Sequence, residues 1–420
     1  TLRHTLFPYT TLFRSGFFPS VSGGWKISEE DYLKNVEWIS LLKLRASYGK
    51  AGNDEIGDYR WTANLVSANY NFNGQLVNGY IPSNIANNEL RWETLISRNL
   101  GIDFWVFKNR LQVSLDLYNN DSRDILMNVP LPAQTGFTSY TANYGKVNNR
   151  GVESEISGSI LGGRLKWNSA FNITFNKNKV VDIKEPFNTN FYGVYSRLEE
   201  GYPIHGFYLY QWDGLITQHD LDNGYNLPGS LVGGHKYKDL NGDDAITTAD
   251  RRFSGSTYPK FIYGWNNMFR YENFDLSVLI QAQSGGDILF MAARQNDIGD
   301  IYNSFKHWTK NYRSKEEPGD GRYPIFGSKT LMYSTHDLYS SDYIRIKSID
   351  LGYTFPKSLV KQLKISDARI FVNVDNVYNW IMDKNYPGVN LEAGLGNNGA
   401  IDYITYPLAR TYSFGFSVNF

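Results

Sequence analysis

The amino-acid sequence predicts an all-β fold, a transmembrane antiparallel β-barrel region of about eleven strands with long loops on one side. Three observations lead to this prediction. Apolar and polar residues alternate in many segments, short and long connections follow one another, and aromatic residues make up 16% of the 420 residues. Alternation places one face of a strand in an apolar environment, and aromatic residues are frequent where barrel strands meet the membrane surface.

Alternation defines the strands in chain order. Between Leu111 and Leu117 every second residue is apolar, and Gln112, Ser114 and Asp116 lie between them. We expect the apolar side of this strand to meet lipid and the polar side to face a wet lumen. Comparable patterns cover residues 17–26, 42–48, 100–106, 152–160, 165–175, 261–271, 274–282, 343–355, 370–374 and 410–420.

Two of the predicted strands have special features. Within 343–355 the apolar phase changes near Ser348, which predicts a β-bulge there. The segment 410–420 alternates to its end, so Phe420 is expected to terminate a membrane strand on the side of the short turns.

Connection lengths predict the two ends of the barrel. Short links at 108–110, 162–164 and 272–273 alternate with long stretches at 52–92, 122–147, 177–259, 286–341 and 378–409. Short periplasmic turns and long extracellular loops are typical of outer-membrane barrels. The links 28–40 and 356–366 each have room for a helical turn. Segments 60–72 and 203–212 look extended, but strand parity assigns them to hairpins within the loops.

Composition narrows the classes of protein. No window approaches the roughly 20 consecutive apolar residues that a membrane helix needs. The absence of Cys excludes a disulfide framework, thiolate metal sites and thiol catalysis. Lys+Arg and Asp+Glu are equal at 42 each, so no nucleic-acid partner is indicated. The six His are scattered, and no G-x-S-x-G elbow occurs, so we do not expect an enzyme.

An acidic segment has the spacing of a calcium-binding loop. Asp239, Asn241, Asp243 and Asp250 place oxygen ligands at positions 1, 3, 5 and 12, and Ala245 offers its carbonyl. Two departures weaken the match, because Asp244 replaces the usual Gly and position 12 is Asp rather than Glu. The alternative is an acidic solvated turn held by Asx hydrogen bonds.

Aromatic residues in the long stretches are candidates for contact with a substrate or a partner. Such rings either stack on ligands or pack the loops together, and packing is expected for most of them. Glu153 and Glu155 lie on one predicted strand and resemble paired glycosidase carboxylates, but lumen-facing polarity explains them more simply. The candidate loop aromatics are Tyr208, Tyr210, Trp212, Trp308, Tyr312 and Tyr323.

Several phrases, in this order, resemble the C-terminal region of the SusC/RagA family of TonB-dependent transporters. Their common order over residues 16–420 carries more weight than any one of them. They are LRASYGKAGN (44–53), LRWE (90–93), PLP (130–132), TGF (135–137), NYGKVNNRGVE (143–153), GYPI (201–204), YKDLNGD (237–243), YIRIK (343–347), LGY (351–353) and YPLART (406–411).

The resemblance implies a plugged outer-membrane barrel of about 22 strands, of which this chain would supply about half. It also implies import of a glycan or peptide oligomer with a SusD-like surface lipoprotein, in a Bacteroidetes-like Gram-negative bacterium. Residues 286–341 are the leading candidate for the lipoprotein contact. The signal peptide, the plug and the segment that engages the TonB complex would lie outside this chain.

Two further interpretations remain open at this point. A non-energised porin or adhesin would share the barrel physics, and a secreted soluble β-rich carbohydrate-binding protein would also alternate. Residues 1–15 match nothing in the family, and we interpret them as foreign leader sequence before the barrel region at 16–420.

Overall fold

The computed structural model describes residues 16–53, 61–191, 194–291, 310–328, 330, 332–362, 364–392, 401–403 and 405–420. The interpretation of residues 1–15 as foreign sequence concerns a segment outside these ranges. No helix in the described ranges is long and apolar enough to cross a membrane.

Strands dominate the described part of the chain. They are β1 (Ser20–Lys26), β2 (Ile39–Asn53), β3 (Leu65–Phe72), β4 (Gln75–Pro82), β5 (Glu93–Val106), β6 (Leu111–Arg123), β7 (Leu126–Pro130), β8 (Ser139–Asn143), β9 (Lys146–Gly162), β10 (Leu165–Asp182), β11 (Phe187–Phe191), β12 (Val194–Leu198), β13 (Gly206–Tyr210), β14 (Trp212–Leu215), β15 (His235–Tyr237), β16 (Arg251–Ser256), β17 (Phe261–Tyr271), β18 (Phe274–Ser284), β19 (Asp287–Phe290), β20 (Leu338–Ser340), β21 (Tyr343–Thr354), β22 (Asp367–Ile381), β23 (Ile401–Asp402) and β24 (Thr411–Asn419).

One large sheet confirms the predicted fold class. It contains eleven strands in the order β1-β2-β5-β6-β9-β10-β17-β18-β21-β22-β24. Each strand pairs antiparallel with its neighbour in this order, so the chain moves up and down without a crossover. The predicted strand 261–271 matches β17 at both ends, whereas β22 runs from Asp367 to Ile381, beyond the predicted 370–374.

The two ends of the sheet differ as the connection lengths predicted. β9 and β10 are joined through Gly163 and Arg164, and β17 and β18 through Glu272 and Asn273. The two longer links on this side hold a 3-10 helix, Ile27–Glu29, and an α-helix, Lys357–Gln362, as expected. Asn419 pairs with Asp367, directly after the second of these links, so Phe420 lies on the short-connection side.

The sheet has an apolar face and a polar face. Leu115 pairs with Ile102 and Ser154, and Leu100 pairs with Leu117, so these side chains share the face that we call the apolar face. Leu115 is 36% exposed and Leu117 45% exposed, although both are aliphatic. Arg45, Asp103 and Asp116 lie on the opposite, polar face. Aliphatic side chains that are exposed in this way need an apolar environment such as lipid.

The predicted β-bulge is present in β21. Ser348 pairs with Leu279 and Ile346 pairs with Ile280, so Lys347 is the extra residue opposite an unbroken β18. The extra residue changes the phase of the strand, which explains why Ile346 and Ile349 share the apolar face although they are three residues apart.

The long connections have secondary structure of their own. β3 and β4 form a hairpin, which confirms the assignment of segment 60–72 to a loop hairpin for its described part. Segment 203–212 contains β13, which pairs antiparallel with the preceding strand β12, as expected for a loop hairpin. The prediction did not include the pairing of β13 with the distant β16, which extends this hairpin into the four-stranded sheet β11-β12-β13-β16.

Buried hydrophobic side chains concentrate at the long-connection end. Ile288, Leu289, Leu209 and Phe207 are almost fully buried, and all belong to strands of the long connections. The packed clusters lie in these connections and at the ends of the large-sheet strands that meet them, where Val147, Val180 and Tyr343 are buried.

Candidate functional site

Three long connections meet at one end of the sheet. β19 pairs antiparallel with β20 and parallel with β23, which joins the connection after β18 to the one after β22. The backbone N–H of Tyr210 donates to the carbonyl of Tyr333 at 3.1 Å, which adds the connection after β10. We call the described part of these three connections the loop assembly, residues 183–260, 285–342 and 382–410.

The first three candidate aromatics pack inside the loop assembly. Tyr210 is buried, and the guanidinium of Arg251 lies 4.6 Å from its ring. Tyr208 lies between the guanidinium of Arg197 at 5.1 Å and the ring of Phe253 at 5.2 Å. Trp212 contacts the His336 ring at 4.9 Å. These contacts fit the loop-packing interpretation, because each ring already has partners within the chain.

The other candidates flank a projecting tip in the connection after β19. Tyr323 is buried, Tyr312 is half-buried, and their backbones join at 3.0 Å, whereas Trp308 lies outside the described residues. Between them, residues 313–321 are mostly exposed and carry Arg313, Lys315, Glu316, Glu317 and Asp320. The side chains that a partner can reach here are therefore charged, and the two described aromatics hold the tip in place.

A buried polar cluster lies where these connections meet. The His235 and His336 rings are 4.7 Å apart, although 101 positions separate them in the sequence and neither has a motif around it. His336 contacts Asp337 through Nδ1 at 2.8 Å and the carbonyl of Arg322 through Nε2 at 3.0 Å. Both nitrogens of His235 are buried without a hydrogen-bond partner among the described residues, and burial, reinforced by His336, lowers the pKa of His235 to about 3.

In the described ranges no group of three or more His, Cys, Asp or Glu side chains could hold a metal ion. Sequence reasoning treated the His residues as scattered, and only the tertiary pairing of the connections brings two of them together. Burial disfavours the charged form of an imidazole, so acid conditions should destabilise the folded loop assembly.

The acidic segment 239–250 forms a tight turn. Both carboxylate oxygens of Asp239 accept backbone N–H groups, from Gly242 at 2.7 Å and Asp244 at 2.8 Å, and these bonds lower the pKa of Asp239. Asp250 is fully buried and accepts from the backbone N–H of Leu240 and of Thr247. This is the Asx-type arrangement that was the alternative to a calcium loop.

Calcium binding at the turn stays a prediction. The carboxylate oxygens that would serve as ligands now accept hydrogen bonds, so binding would require Asp239 and Asp243 to turn their oxygens towards one point. Beside the turn a cleft of about 630 Å³ opens, lined by Tyr225, Lys236 and Asp244 among others.

Two ion networks lie on the polar face near the short-connection end. Arg45 donates through Nε and Nη2 to Asp103 at 2.8 and 3.0 Å and through Nη1 and Nη2 to Asp116, both at 2.9 Å. A Cβ atom at Gly101 would lie 2.7 Å from the Arg45 guanidinium carbon, so a larger residue here would clash with the guanidinium. Arg369 bridges Asp275 and Asp350 in the same way across three strands.

The paired glutamates lie on the same polar face. Glu155 pairs with Ser114 and Glu153 with Asp116, so both project to the side of the Arg45 network. This placement agrees with the polar-lumen interpretation. The sequence contains a signal for the networks, since Arg45, Asp103 and Asp116 occupy the polar phase of three successive strands, but the register that aligns them is a tertiary property.

The comparisons with known proteins agree with this architecture. The sequence model of the family described as TonB dependent receptor-like, beta-barrel matches residues 3–377. TonB-dependent receptor P3 of Formosa agariphila is 32% identical over 96% of this chain and 42% of its own length. TonB-dependent receptor SusC of Bacteroides thetaiotaomicron is 28% identical over 97% of this chain and 40% of its own length.

Solved structures show the same fold. The RagAB peptide importer in its open-open state superimposes with a TM-score of 0.81 at 25% identity, covering 97% of this chain and 43% of the other. A second RagAB structure, described as a peptide transporter, gives a TM-score of 0.82 at 24% identity and covers 98% of this chain. The chain spans less than half the length of all these relatives.

Proposed function

The chain belongs to the TonB-dependent receptor β-barrel family, and we propose that it forms the C-terminal barrel region of a nutrient importer. Its relatives of the SusC/RagA type place it in the outer membrane. The proposed activity is uptake of an oligomeric nutrient, a glycan or a peptide, driven through the TonB complex and assisted by a SusD-like surface lipoprotein.

We call the eleven-stranded sheet the barrel wall. The observation that carries this proposal is that the loop assembly forms a folded cover at one end of this wall. The sheet presents an apolar face for lipid and a polar face with the Arg45 and Arg369 networks for a wet lumen. The loop assembly covers the long-connection end of this wall, where a solute would enter. An adhesin would need the cover but no polar lumen, and a simple porin would need the lumen but no extensive cover.

Energised uptake is tested in cells that carry the complete gene. Growth on the nutrient as sole carbon or nitrogen source should require this gene and should also be lost when the TonB gene is deleted. A strain with a general porin for a smaller solute serves as the control, because its growth on that solute should not depend on TonB. Uptake that persists without TonB would indicate a non-energised porin and refute the proposal.

The lipoprotein contact is proposed at the charged tip, residues 313–321. Support comes from its exposure and from the RagAB relatives, which are two-component structures by name. Exposed charges at the rim of an interface mainly steer association. The double change Arg313→Glu and Lys315→Glu should therefore reduce co-purification of the lipoprotein in mild detergent, with a stronger effect at low salt.

The matched control reverses two cations at the opposite end of the barrel, Lys357→Glu and Lys361→Glu, which are also exposed. This control should leave co-purification unchanged. Full recovery of the lipoprotein with the tip variant would show that the contact lies elsewhere in the loop assembly.

A further inference from the structure

A strip of cations crosses the apolar-face side of the sheet at its long-connection end. Strand alternation places these residues on the same side as the exposed Leu100 and Leu117. We call them the basic strip: Lys50, Arg98, Arg123, Lys146, Arg150, Lys177 and Lys179. The acidic residues among them are Asp121 and Asp182, so cations clearly outnumber anions on this surface.

One half of the basic strip shares a single carboxylate. The Asp121 Oδ2 atom lies 3.1 Å from Arg98, 3.7 Å from Arg123 and 3.9 Å from Lys146. One negative charge cannot neutralise three positive charges. This half of the strip therefore keeps an excess of positive charge.

The other half forms no ion pair in the described part of the chain. Arg150 and Lys177 are direct register partners on neighbouring strands, and Lys179 follows two residues later on the same side. All three side chains are exposed. Directly opposed like charges in a sheet are about 5 Å apart at Cβ and destabilise the pairing unless an anion lies between them. The barrel thus carries a local electrostatic cost at this position.

The position of the basic strip along the strands indicates which kind of anion it binds. Val152, Phe175 and Leu100 lie one step towards the membrane from Arg150, Lys177 and Arg98 on the same face. Two residues along a strand span about 6.8 Å. The cations therefore stand directly above the lipid-facing band, at the level where lipid headgroups meet water.

We propose that the basic strip binds the phosphate groups of a lipid in the outer leaflet, with Arg150, Lys177 and Lys179 as its centre. The guanidinium group of Arg and the ammonium group of Lys form strong charge-assisted hydrogen bonds with phosphate oxygens. A lipid satisfies both parts of this surface, because its acyl chains cover Val152 and Phe175 while its phosphates neutralise the cations. A free phosphate ion would satisfy only the cations.

Native mass spectrometry of the complete detergent-purified protein tests the proposal. The probes are bisphosphorylated lipid A, the same lipid without its phosphates, and inorganic phosphate. The variant Arg150→Gln/Lys177→Gln/Lys179→Gln removes the centre of the strip. The control Lys166→Gln/Lys357→Gln/Lys361→Gln removes three exposed cations at the short-connection end.

The wild type and the control should bind phosphorylated lipid at least about tenfold more tightly than the dephosphorylated lipid, and the variant should lose that preference. In phosphatidylcholine alone the variant should be at least as stable as the wild type, because it loses only repulsion. Equal binding of both lipids, unchanged binding by the variant, or complete displacement by millimolar inorganic phosphate would each refute the proposal. So would loss of lipoprotein co-purification in the variant with lipid binding intact, which would assign the strip to an acidic protein partner.

Discussion

At the scale of single residues, Arg45 ties three strands together on the polar face. Its guanidinium is the shared partner of Asp103 and Asp116, which are about one-fifth exposed. The change Arg45→Met should destabilise the complete barrel by about 2 kcal/mol, because two partly buried carboxylates lose their partner. Reversible unfolding in lipid vesicles measures this free energy.

Two comparisons make the Arg45 experiment specific. Lys43→Met removes a cation two residues away on the same face, which lies opposite Asp103 in the register but forms no ion pair within 4 Å in the described ranges, and should cost less. Adding Asp103→Asn and Asp116→Asn to Arg45→Met should recover at least half of the loss. Equal costs for Arg45→Met and Lys43→Met would mean that the network contributes no stability.

His235 should make the loop assembly sensitive to acid. Burial lowers its pKa from 6.5 to about 3, so below pH 6.5 the unfolded loops bind a proton that the folded loops exclude. Stability is therefore lost as the pH falls from 6.5 towards 3, by about 2 kcal/mol at pH 5. Hydrogen exchange at the buried strand residues Phe207 and Leu209 reports this loss.

Substitution of His235 shows how much of the acid sensitivity of the loop assembly comes from this residue. His235→Phe should flatten the pH dependence of exchange between pH 7 and 5, whereas His219→Phe, at an exposed position, should not. A pH dependence that survives His235→Phe unchanged would assign the acid sensitivity to the carboxylates of the assembly.

At the scale of elements, the β-bulge in β21 decides which side chains face lipid. Deleting Lys347 removes the extra residue relative to β18 and leaves Ile344, Ile346 and Ile349 on the apolar face. Deleting Ile349 instead would turn one part of the strand over. We expect the Lys347 deletion to assemble into the outer membrane, with a cost from the lost Lys347–Asn376 hydrogen bond and from Asn376 and Val377, which lose their opposite residue, and the Ile349 deletion to fail.

Heat-modifiable migration of the barrel in gels distinguishes the two deletions. Assembly of both variants in equal amounts would mean that β21 can slip in register, and that the bulge does not fix its faces.

Calcium binding to the acidic turn can be tested by calorimetric titration. If Asp239, Asn241, Asp243 and Asp250 bind calcium together, calorimetric titration of the complete protein gives a signal that Asp239→Ala abolishes. Asp222→Ala, an exposed acidic residue outside the turn, is the control. Identical titrations for the three proteins would leave the turn as a hydrogen-bonded structure.

At the scale of the whole molecule, the sequence predicts the barrel wall well because lipid imposes a pattern on it. One face of every wall strand must be apolar, so alternation and turn lengths were enough for the eleven strands and the bulge near Ser348. Strand ends were predicted less well, since β10 continues to Asp182 beyond the apolar band, where nothing requires alternation.

The loop assembly was beyond sequence reasoning for a different reason. Its strands are short, and β13 pairs with β16 about 40 residues later, so no local pattern marks the pair. The pairing of His235 with His336 and the alignment of Arg45 with Asp116 likewise depend on register and on contacts between distant segments. The candidate aromatics were found, but not whether each ring faces a neighbour or solvent.

The difference between the two ends of the sheet also constrains how the barrel assembles in the outer membrane. The connection 183–260, between β10 and β17, contains many ionisable side chains, and its described residues lie at one end of the sheet. Carrying these charges through hydrocarbon is costly, so they must pass through a hydrophilic opening before the wall closes. Because each strand of the large sheet pairs with its neighbours in chain order, hairpins can be added one at a time while the sheet still has a free edge. We therefore expect the barrel to close last, after every long segment has been exported.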